Sequence, residues 1–250
     1  MLGLYREVSG DATLDLMNYE ITKTLHDAVM ASPTRNIESY PGKIWPADNS
    51  VVMASLAVYD RVHGTRFANA ANEWVDWINS NFLDHNGLMH SRINPSSHKS
   101  LEGPRGCSLA WTSMFARYFS PEFAEAQYRA MKTHMGGKFM EIFMFKELPE
   151  DNSTGMGDID SGPLFRGFGV AATGLGYGAA NAAGDTTIAR GIRGLIDSFG
   201  MDFFKDGERR FRLFYPLSDA LVLFGETIQY WEGSEPRKRF QANSHSPSKQ

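Results

Sequence analysis

Apolar residues recur at helical spacing along most of this chain, and the pattern predicts eight helices. In alternate predicted helices, beginning with the first, an apolar stripe runs along one side and polar residues lie opposite, which is typical of half-buried helices. The third predicted helix has its stripe at Phe67, Ala71, Trp74, Ile78 and Phe82. The predicted helices cover residues 13–31, 50–63, 65–83, 106–118, 120–135, 166–183, 185–199 and 216–231.

The other four predicted helices are apolar or small on nearly all sides, which is typical of helices enclosed by others. Connections within consecutive pairs are very short, whereas connections between pairs are long. Alternating half-buried and enclosed helices, joined as hairpins, predict an all-α fold. The expected architecture is an (α/α) barrel or an incomplete toroid of helical hairpins. A superhelical stack of helix pairs fits the same pattern.

The long loops all open at one end of such an array, and we call that end the mouth. Loops longer than about 12–15 residues without regular structure are uncommon unless they are functional or disordered. Two aromatic-rich segments, 138–146 and 209–215, partly alternate in polarity and favour a small β-hairpin in these loops. The long loops cover residues 32–49, 84–105, 136–165 and 200–215.

Composition indicates one well-packed domain without nucleic-acid-binding character. The hydrophobic content of 42% suffices for a core, and the net charge of −4 provides no field that attracts nucleic acid. We predict a single domain over residues 1–233 and a disordered basic tail over 234–250. A small-molecule or oligosaccharide substrate is the expected partner, and an oligomer is left open.

Targeting and cofactor signals are absent from the sequence. It has no run of 18 or more apolar residues that would predict a membrane span, and its first residues lack the apolar stretch of a signal peptide. The compartment is therefore unknown, with the cytoplasm as the default expectation. Cys107 is the only cysteine, which excludes an internal disulfide and a cysteine-based zinc cluster. We expect no cofactor and no metal.

The first long loop ends in aromatic and acidic residues that lead directly into an enclosed helix. Tyr40 and Trp45 are suited to stacking on a sugar or an apolar substrate. Asp48 is a candidate acid, base or substrate anchor, and Asn49 beside it is a candidate binding residue. The alternative is that Asp48 or Asn49 caps the helix and that the aromatic rings simply pack.

The second long loop is polar and rich in groups that bind carboxylate or phosphate. His90, Arg92 and Arg105 are candidate substrate-binding residues, and the alternative for each is a solvated loop side chain. Cys107 lies near a predicted helix N-terminus, where the pKa of a thiol tends to fall. It is a candidate nucleophile or binding residue, or else a small buried residue. Trp111 is expected in the core or on the floor of the mouth.

The third long loop carries two carboxylates bracketed by glycines. If the segment is extended, Asp158 and Asp160 point the same way, which suits an acid and base pair or a cation site. Turn and capping chemistry is the alternative. The fourth long loop combines arginines with aromatic residues, among them Tyr215. It either covers a polar ligand or forms an exposed strand.

Two short motifs resemble a known family. One is Tyr40-Pro41-Gly42 followed by Trp45 and Asp48-Asn49, the other is segment 158–163, and each opens an enclosed helix. They are similar to the six-hairpin (α/α) toroid glycosidase-like superfamily, and within it to the linalool dehydratase-isomerase-like branch. The resemblance spans about residues 15–230 and implies an active site in the mouth. It associates the linalool chemistry with a pair of cysteines, an aspartate, a tyrosine and a histidine, whereas this chain has only Cys107.

Three functions are consistent with these residues. The first is a carbohydrate- or glycan-active hydrolase or lyase, in which Asp48, Asp158 and Asp160 supply the acid and the base. The second is a dehydratase or isomerase of small alcohols, which predicts Cys107 close to an aspartate. The third is a non-catalytic helical scaffold that binds a glycan or a protein.

Overall fold

The chain folds into helical hairpins with small antiparallel strand pairs between them. The computed structural model describes residues 1–64, 66–149, 154–158, 161–200, 202–211 and 217–228. The helices in these ranges are α1 (Leu2–Ser9), α2 (Asp15–Ala31), α3 (Pro46–His63), α4 (Ala68–Asn81), α5 (Gly106–Ala116), α6 (Pro121–His134), α7 (Val170–Ala182), α8 (Thr186–Phe199) and α9 (Leu217–Thr227). The strands are β1 (Arg92–Ile93), β2 (Ser100–Glu102), β3 (Gly136–Phe139), β4 (Ile142–Phe145), β5 (Gly155–Met156), β6 (Pro163–Phe165), β7 (Phe168–Gly169), β8 (Asp202–Lys205) and β9 (Glu208–Phe211).

The helices are arranged in two rows. In the first row, α3, α5, α7 and α9 follow one another, and each packs against the next. In the second row, α4, α6 and α8 each pack against the preceding helix of the chain, while α1 and α2 pack on α3. This layering confirms a mostly helical fold of hairpins in which enclosed and half-buried helices alternate. The closed or incomplete toroid stays a prediction, and the proposed tail over 234–250 lies outside the described residues.

Two glycines of α7 allow this helix to approach its neighbours, including α5, closely. A Cβ at Gly178 on α7 would overlap the sulfur of Met114 on α5, and a Cβ at Gly176 would overlap the ring of Phe145. Glycine inside a helix is less favourable than alanine by about 1 kcal/mol. Gly176 and Gly178 are therefore explained by close packing rather than by helix preference, whereas a Cβ at Gly174 would have no atom within 4 Å.

The core stripe predicted for the third helix is confirmed in α4 and its flanks. Phe67, Ala71, Trp74, Ile78 and Phe82 are all buried. The largest of them, Trp74, packs edge-on against Phe119 and Phe123 of the next helical hairpin, with ring centroids 5.8 and 5.6 Å away. These aromatic contacts join the hairpin of α3 and α4 to the hairpin of α5 and α6.

The observed helices differ most from the predicted ones at three places. The pattern does not predict α1, and α3 begins at Pro46 rather than at residue 50. Proline suits the first helical position because its missing N–H has no partner to lose there. Residues 166–169 form a turn and a strand instead of helix, since Arg166 and Gly167 have φ of 50° and 78°.

Each of the two aromatic-rich segments contributes to a small antiparallel hairpin. β3 pairs with β4, and β8 pairs with β9, both antiparallel. Segment 138–146 therefore contains a turn, at Met140 and Glu141, whose positive φ values of 48° and 65° suit a two-residue hairpin loop. Of the second predicted strand, residues 209–211 belong to β9, and residues 212–215 lie outside the described residues.

Three of the long loops are joined at one end of the helical rows. Ile44, just before α3, forms a β-bridge with Ile93 in the loop before α5. The backbone N–H of Gly106, where the second long loop ends, donates to the carbonyl oxygen of Glu147 in the loop before α7 at 2.8 Å. The loops before α3, α5 and α7 thus meet as the sequence predicts. No helix within the described ranges is long and apolar enough to cross a membrane.

Candidate functional site

A group of polar side chains, three of them buried, lies where α5 begins. It consists of Arg105, Cys107, Glu147 and Asp158, which we call the polar cluster. Arg105 ends the second long loop and Cys107 lies in the first turn of α5, whereas Glu147 and Asp158 belong to the third long loop. The cluster therefore joins two of the loops that the sequence places at the mouth.

Glycine at position 106 allows these segments to meet. A Cβ on Gly106 would overlap the carbonyl oxygen of Lys146 and would lie 2.8 Å from the Cβ of Ala172 in α7. Its N–H donates to the backbone oxygen of Glu147 at 2.8 Å. The N-terminal turns of α5 and α7 consequently close around Glu147, because only glycine permits such an approach.

Glu147 is the most buried member of the cluster, with 2% of its surface exposed. Its Oε1 accepts a hydrogen bond from Arg105 Nε at 2.8 Å and another from Cys107 Sγ at 2.9 Å. Its Oε2 has no hydrogen-bond partner in the described part of the chain. Burial raises the pKa of the Glu147 carboxyl, and the hydrogen bonds from Cys107 and Arg105 oppose that rise only in part. The carboxyl therefore keeps its proton to a higher pH than a solvated glutamate.

The thiol of Cys107 differs from the expectation based on the helix N-terminus. Burial raises its pKa, and the neighbouring Glu147 carboxyl raises it further. The expected fall is therefore wrong, since the helix end is outweighed by the loss of solvent and by an adjacent acid. Cys107 remains a protonated thiol at neutral pH. The carboxyl that it contacts belongs to a glutamate and not to an aspartate.

Arg105 also binds Asp158, at the exposed rim of the cluster. Nη1 lies 2.7 Å from Asp158 Oδ2, and Nη2 donates to Oδ1 at 2.9 Å. The hydrogen bonds from Arg105, together with one from the Ser161 N–H at 2.8 Å, hold the pKa of the Asp158 carboxyl well below its usual range. Arg105, a candidate for binding an anionic substrate, is thus already paired with a carboxylate of the chain itself. Asp160 lies outside the described residues.

The Asp158 pair should contribute to stability in a pH-dependent way. A carboxyl whose pKa is lowered in the folded state stabilises the fold above its unfolded pKa, about 3.9, and loses that contribution as the pH falls. We expect Asp158→Asn to reduce the free energy of unfolding by the same amount at all pH values above about 5, and by less below about pH 4. The side chain is 50% exposed, so the loss is under about 1 kcal/mol. Urea unfolding across pH measures it, and a difference that grows in acid would contradict the ion pair.

The candidate residues of the first long loop have separate surroundings on α3 and before it. Asn49 is structural, because Oδ1 accepts from the Ile37 N–H at 2.8 Å and Nδ2 donates to the Ile37 carbonyl at 3.0 Å. Asp48 is exposed in the first turn of α3. Tyr40 is 64% exposed and meets Trp45 edge-on at 5.7 Å. The two rings and Asp48 stay candidates for substrate contact.

The remaining candidates lie in or beside the second long loop. His90 is half-buried, packs edge-on against Phe82 at 5.4 Å, and has its pKa lowered by burial. Arg92 belongs to β1, and Trp111 packs on Phe115 of α5 at 4.9 Å. Tyr215 lies outside the described residues. Among the described residues, no group of three or more His, Cys, Asp and Glu is placed to hold a metal ion.

Glu147 is the residue that the sequence did not suggest. It follows an aromatic-rich strand and belongs to no motif, and its partners Arg105 and Cys107 are 42 and 40 positions away. A solvated glutamate after a strand would have the same local sequence. Its burial and its partners arise only from the packing of the loops.

The chain matches the model of a known protein family. The family model described as linalool dehydratase/isomerase matches residues 9–212, which is most of the chain. The match agrees with the branch that the two short motifs resemble. The wider toroid superfamily stays a prediction.

Proposed function

Since the chain belongs to the linalool dehydratase/isomerase family, we propose that it is a dehydratase or isomerase of a small unsaturated alcohol such as linalool. Among the three functions considered from the sequence, family membership favours this one over a glycan-active hydrolase or lyase. The motif residues at the mouth are then candidates for binding the alcohol.

Dehydration of an alcohol requires that a carbon–oxygen bond break with both electrons going to oxygen. Hydroxide leaves poorly, so the hydroxyl oxygen needs a proton as the bond breaks. A site for this reaction must hold a proton donor near neutral pH and must limit access of water to the carbocation-like species.

The observation that carries the proposal is the buried thiol–carboxyl–guanidinium arrangement of Cys107, Glu147 and Arg105. It places a carboxyl with a raised pKa and a protonated thiol in contact at the N-terminal turns of two helices. Such pairs of shifted groups are a common feature of acid–base sites.

The glycan-active alternative is less well supported at Asp48 and Asp158, two of the three aspartates on which it was based. Hydrolysis of a glycosidic bond needs one carboxyl that holds a proton and a second that is ionised. Asp158 is bound to Arg105 and ionised over the neutral range, and Asp48 is on the surface of α3. The non-catalytic scaffold has no specific contact in its favour.

A product screen tests the proposal. We expect the purified chain to convert linalool or a related small alcohol into an alkene with one additional double bond or into an isomeric alcohol, detected by gas chromatography with mass spectrometry. Cys107→Ala should slow the reaction about tenfold, because the loss of a hydrogen bond to a charged or shared-proton acceptor costs roughly 1.4 kcal/mol.

The matched control is Ser113→Ala in the same helix, since Ser113 is buried and bonds only locally to the Leu109 carbonyl. It should leave the rate unchanged. Cleavage of oligosaccharides without any alcohol conversion would replace the proposal by the glycan-active reading. Absence of turnover on both classes would favour the scaffold.

A further inference from the structure

The two oxygens of the Glu147 carboxyl have different surroundings. Oε1 receives both hydrogen bonds, from Arg105 Nε and from Cys107 Sγ. Oε2 receives none within the described part of the chain, although only 2% of the residue is exposed. A buried polar atom without a partner costs about 1–3 kcal/mol. Native proteins keep such atoms rarely, and a functional role is one of the reasons.

The free oxygen lies beside the first turn of α7. A Cβ at Gly169, the residue before that helix, would be 3.2 Å from Oε2 and 3.1 Å from the Glu147 Cβ. The absence of a side chain at position 169 therefore avoids a close contact with this side of the carboxyl. A ligand oxygen that reached Oε2 would meet the N-terminal end of α7, which favours negative charge on that oxygen.

The arrangement also decides which oxygen carries the proton. The N–H and S–H donors already engage the lone pairs of Oε1, so a proton on the carboxyl goes to Oε2. Burial raises the pKa of Glu147 and extends the pH range over which that proton is present. Protonated Glu147 then has one O–H group, which has no acceptor among the described residues.

We propose that Glu147 is the general acid of this site, and that its Oε2–H binds and protonates the hydroxyl oxygen of the substrate. The inference rests on the proposed dehydratase or isomerase activity and names the residue that supplies its proton. The proton passes from Oε2 to the hydroxyl oxygen while the C–O bond breaks, and the bonding pair leaves with water. In dehydration, the carboxylate then takes a proton from the neighbouring carbon, whose C–H pair becomes the new double bond. The acid is thereby regenerated, and the products are water and an alkene with one more double bond than the alcohol.

Cys107 and Arg105 are positioning residues in this arrangement. Both donate to Oε1 and so fix the orientation of the carboxyl and leave Oε2 free. The other charged groups that face them are Asp158 and Glu102, which lie on the outer side of Arg105 and engage its Nη atoms. Cys107, as a protonated thiol, forms no covalent bond to the substrate.

The test compares Glu147→Gln and Glu147→Asp with the wild-type chain. The control is Glu125→Gln, which removes a carboxylate from another buried arginine, Arg117, that like Arg105 is 7% exposed. Turnover of linalool is measured across pH, and infrared difference spectra record the C=O band of a protonated carboxyl. The spectra need no turnover.

We expect Glu147→Gln to lower turnover by at least about 100-fold and to remove a protonated-carboxyl band that the wild type retains to a higher pH than a solvated glutamate would. Glu147→Asp should retain part of the activity, with a changed pH profile, and Glu125→Gln should resemble the wild type in both measurements. Wild-type turnover should fall as the pH rises through the pKa of Glu147. If Glu147→Gln does not fold, an Asp variant with wild-type turnover and pH profile would overturn the assignment.

Two results separate this inference from the proposed function. Turnover of alcohols by the wild type, with Glu147→Gln within about tenfold of it, would overturn the role of Glu147 and leave the proposed function standing. A wild type that converts no alcohol would overturn the proposed function and the acid step with it. In that case the band would still decide whether Glu147 holds the proton.

Discussion

Replacing Arg105 with leucine is expected to lower the free energy of unfolding by about 3–5 kcal/mol. Arg105 is 7% exposed and its Nε is bonded to Glu147, which is 2% exposed. Without the guanidinium, the carboxyl must either keep a charge in a place without solvent or hold its proton permanently. Chemical denaturation at several pH values, with the dependence on denaturant checked for two-state behaviour, measures the loss.

The loss should increase with pH. Arg105 favours the ionised form of Glu147, so its removal moves the folded-state pKa of Glu147 further above the usual value. A carboxyl with a raised folded pKa binds its proton more tightly in the folded chain, and the stability falls as the pH rises through that range. The difference from wild type should therefore be larger at about pH 8 than at about pH 5.

Two comparisons make this prediction specific. Adding Glu147→Gln to Arg105→Leu should recover part of the lost stability, because the variant then has no buried acid to leave without a cation. Arg117→Leu should cost less, although Arg117 is also 7% exposed, since the side chain of its partner Glu125 is 39% exposed and stays solvated. Equal losses for the two arginines, without pH dependence, would show that burial of the arginine itself decides the effect.

Trp74→Ala is expected to lower the free energy of unfolding by about 3–5 kcal/mol. The side chain is fully buried and packs edge-on against Phe119 and Phe123. Its Nε1 also donates to Asn36 Oδ1 at 2.8 Å, and Asn36 is itself buried. The substitution thus leaves a cavity and an unpaired amide oxygen at once.

Trp74→Phe separates the two contributions. It keeps most of the ring contacts but removes the hydrogen bond, and should cost about 1–3 kcal/mol. Trp77→Ala on the same helix is the control, because Trp77 is only half-buried and should cost less than Trp74. If Trp77→Ala were as damaging as Trp74→Ala, the core would not centre on the contact between the two hairpins.

The helices and their core faces could be predicted from the sequence to within a few residues. The stripe from Phe67 to Phe82 is buried as its spacing indicates. The turn at Met140 and Glu141 could not be predicted, since neither residue is typical of a turn with positive φ. The start of α7 was set too early because the glycines and aromatic residues before it suit a buried helix as well as a strand.

The candidate site was predicted in part. Arg105, Cys107 and Asp158 were each named, and the first of them contacts Asp158 directly. Their contacts were not predicted, since Asp158 pairs with Arg105 and Cys107 contacts Glu147 rather than an aspartate. Asp160 and Tyr215 lie outside the described residues, and Asp48, Tyr40 and Trp45 stay predictions.

The sequence by itself determined the helical hairpins, the long loops between them and the resemblance to the linalool branch, because helical periodicity and loop length are properties of neighbouring residues. Only the tertiary structure decided which acid meets Cys107 and which oxygen of that acid is left free. The pKa of Glu147 depends on its burial and on Arg105, 42 positions away, and no local pattern encodes either one.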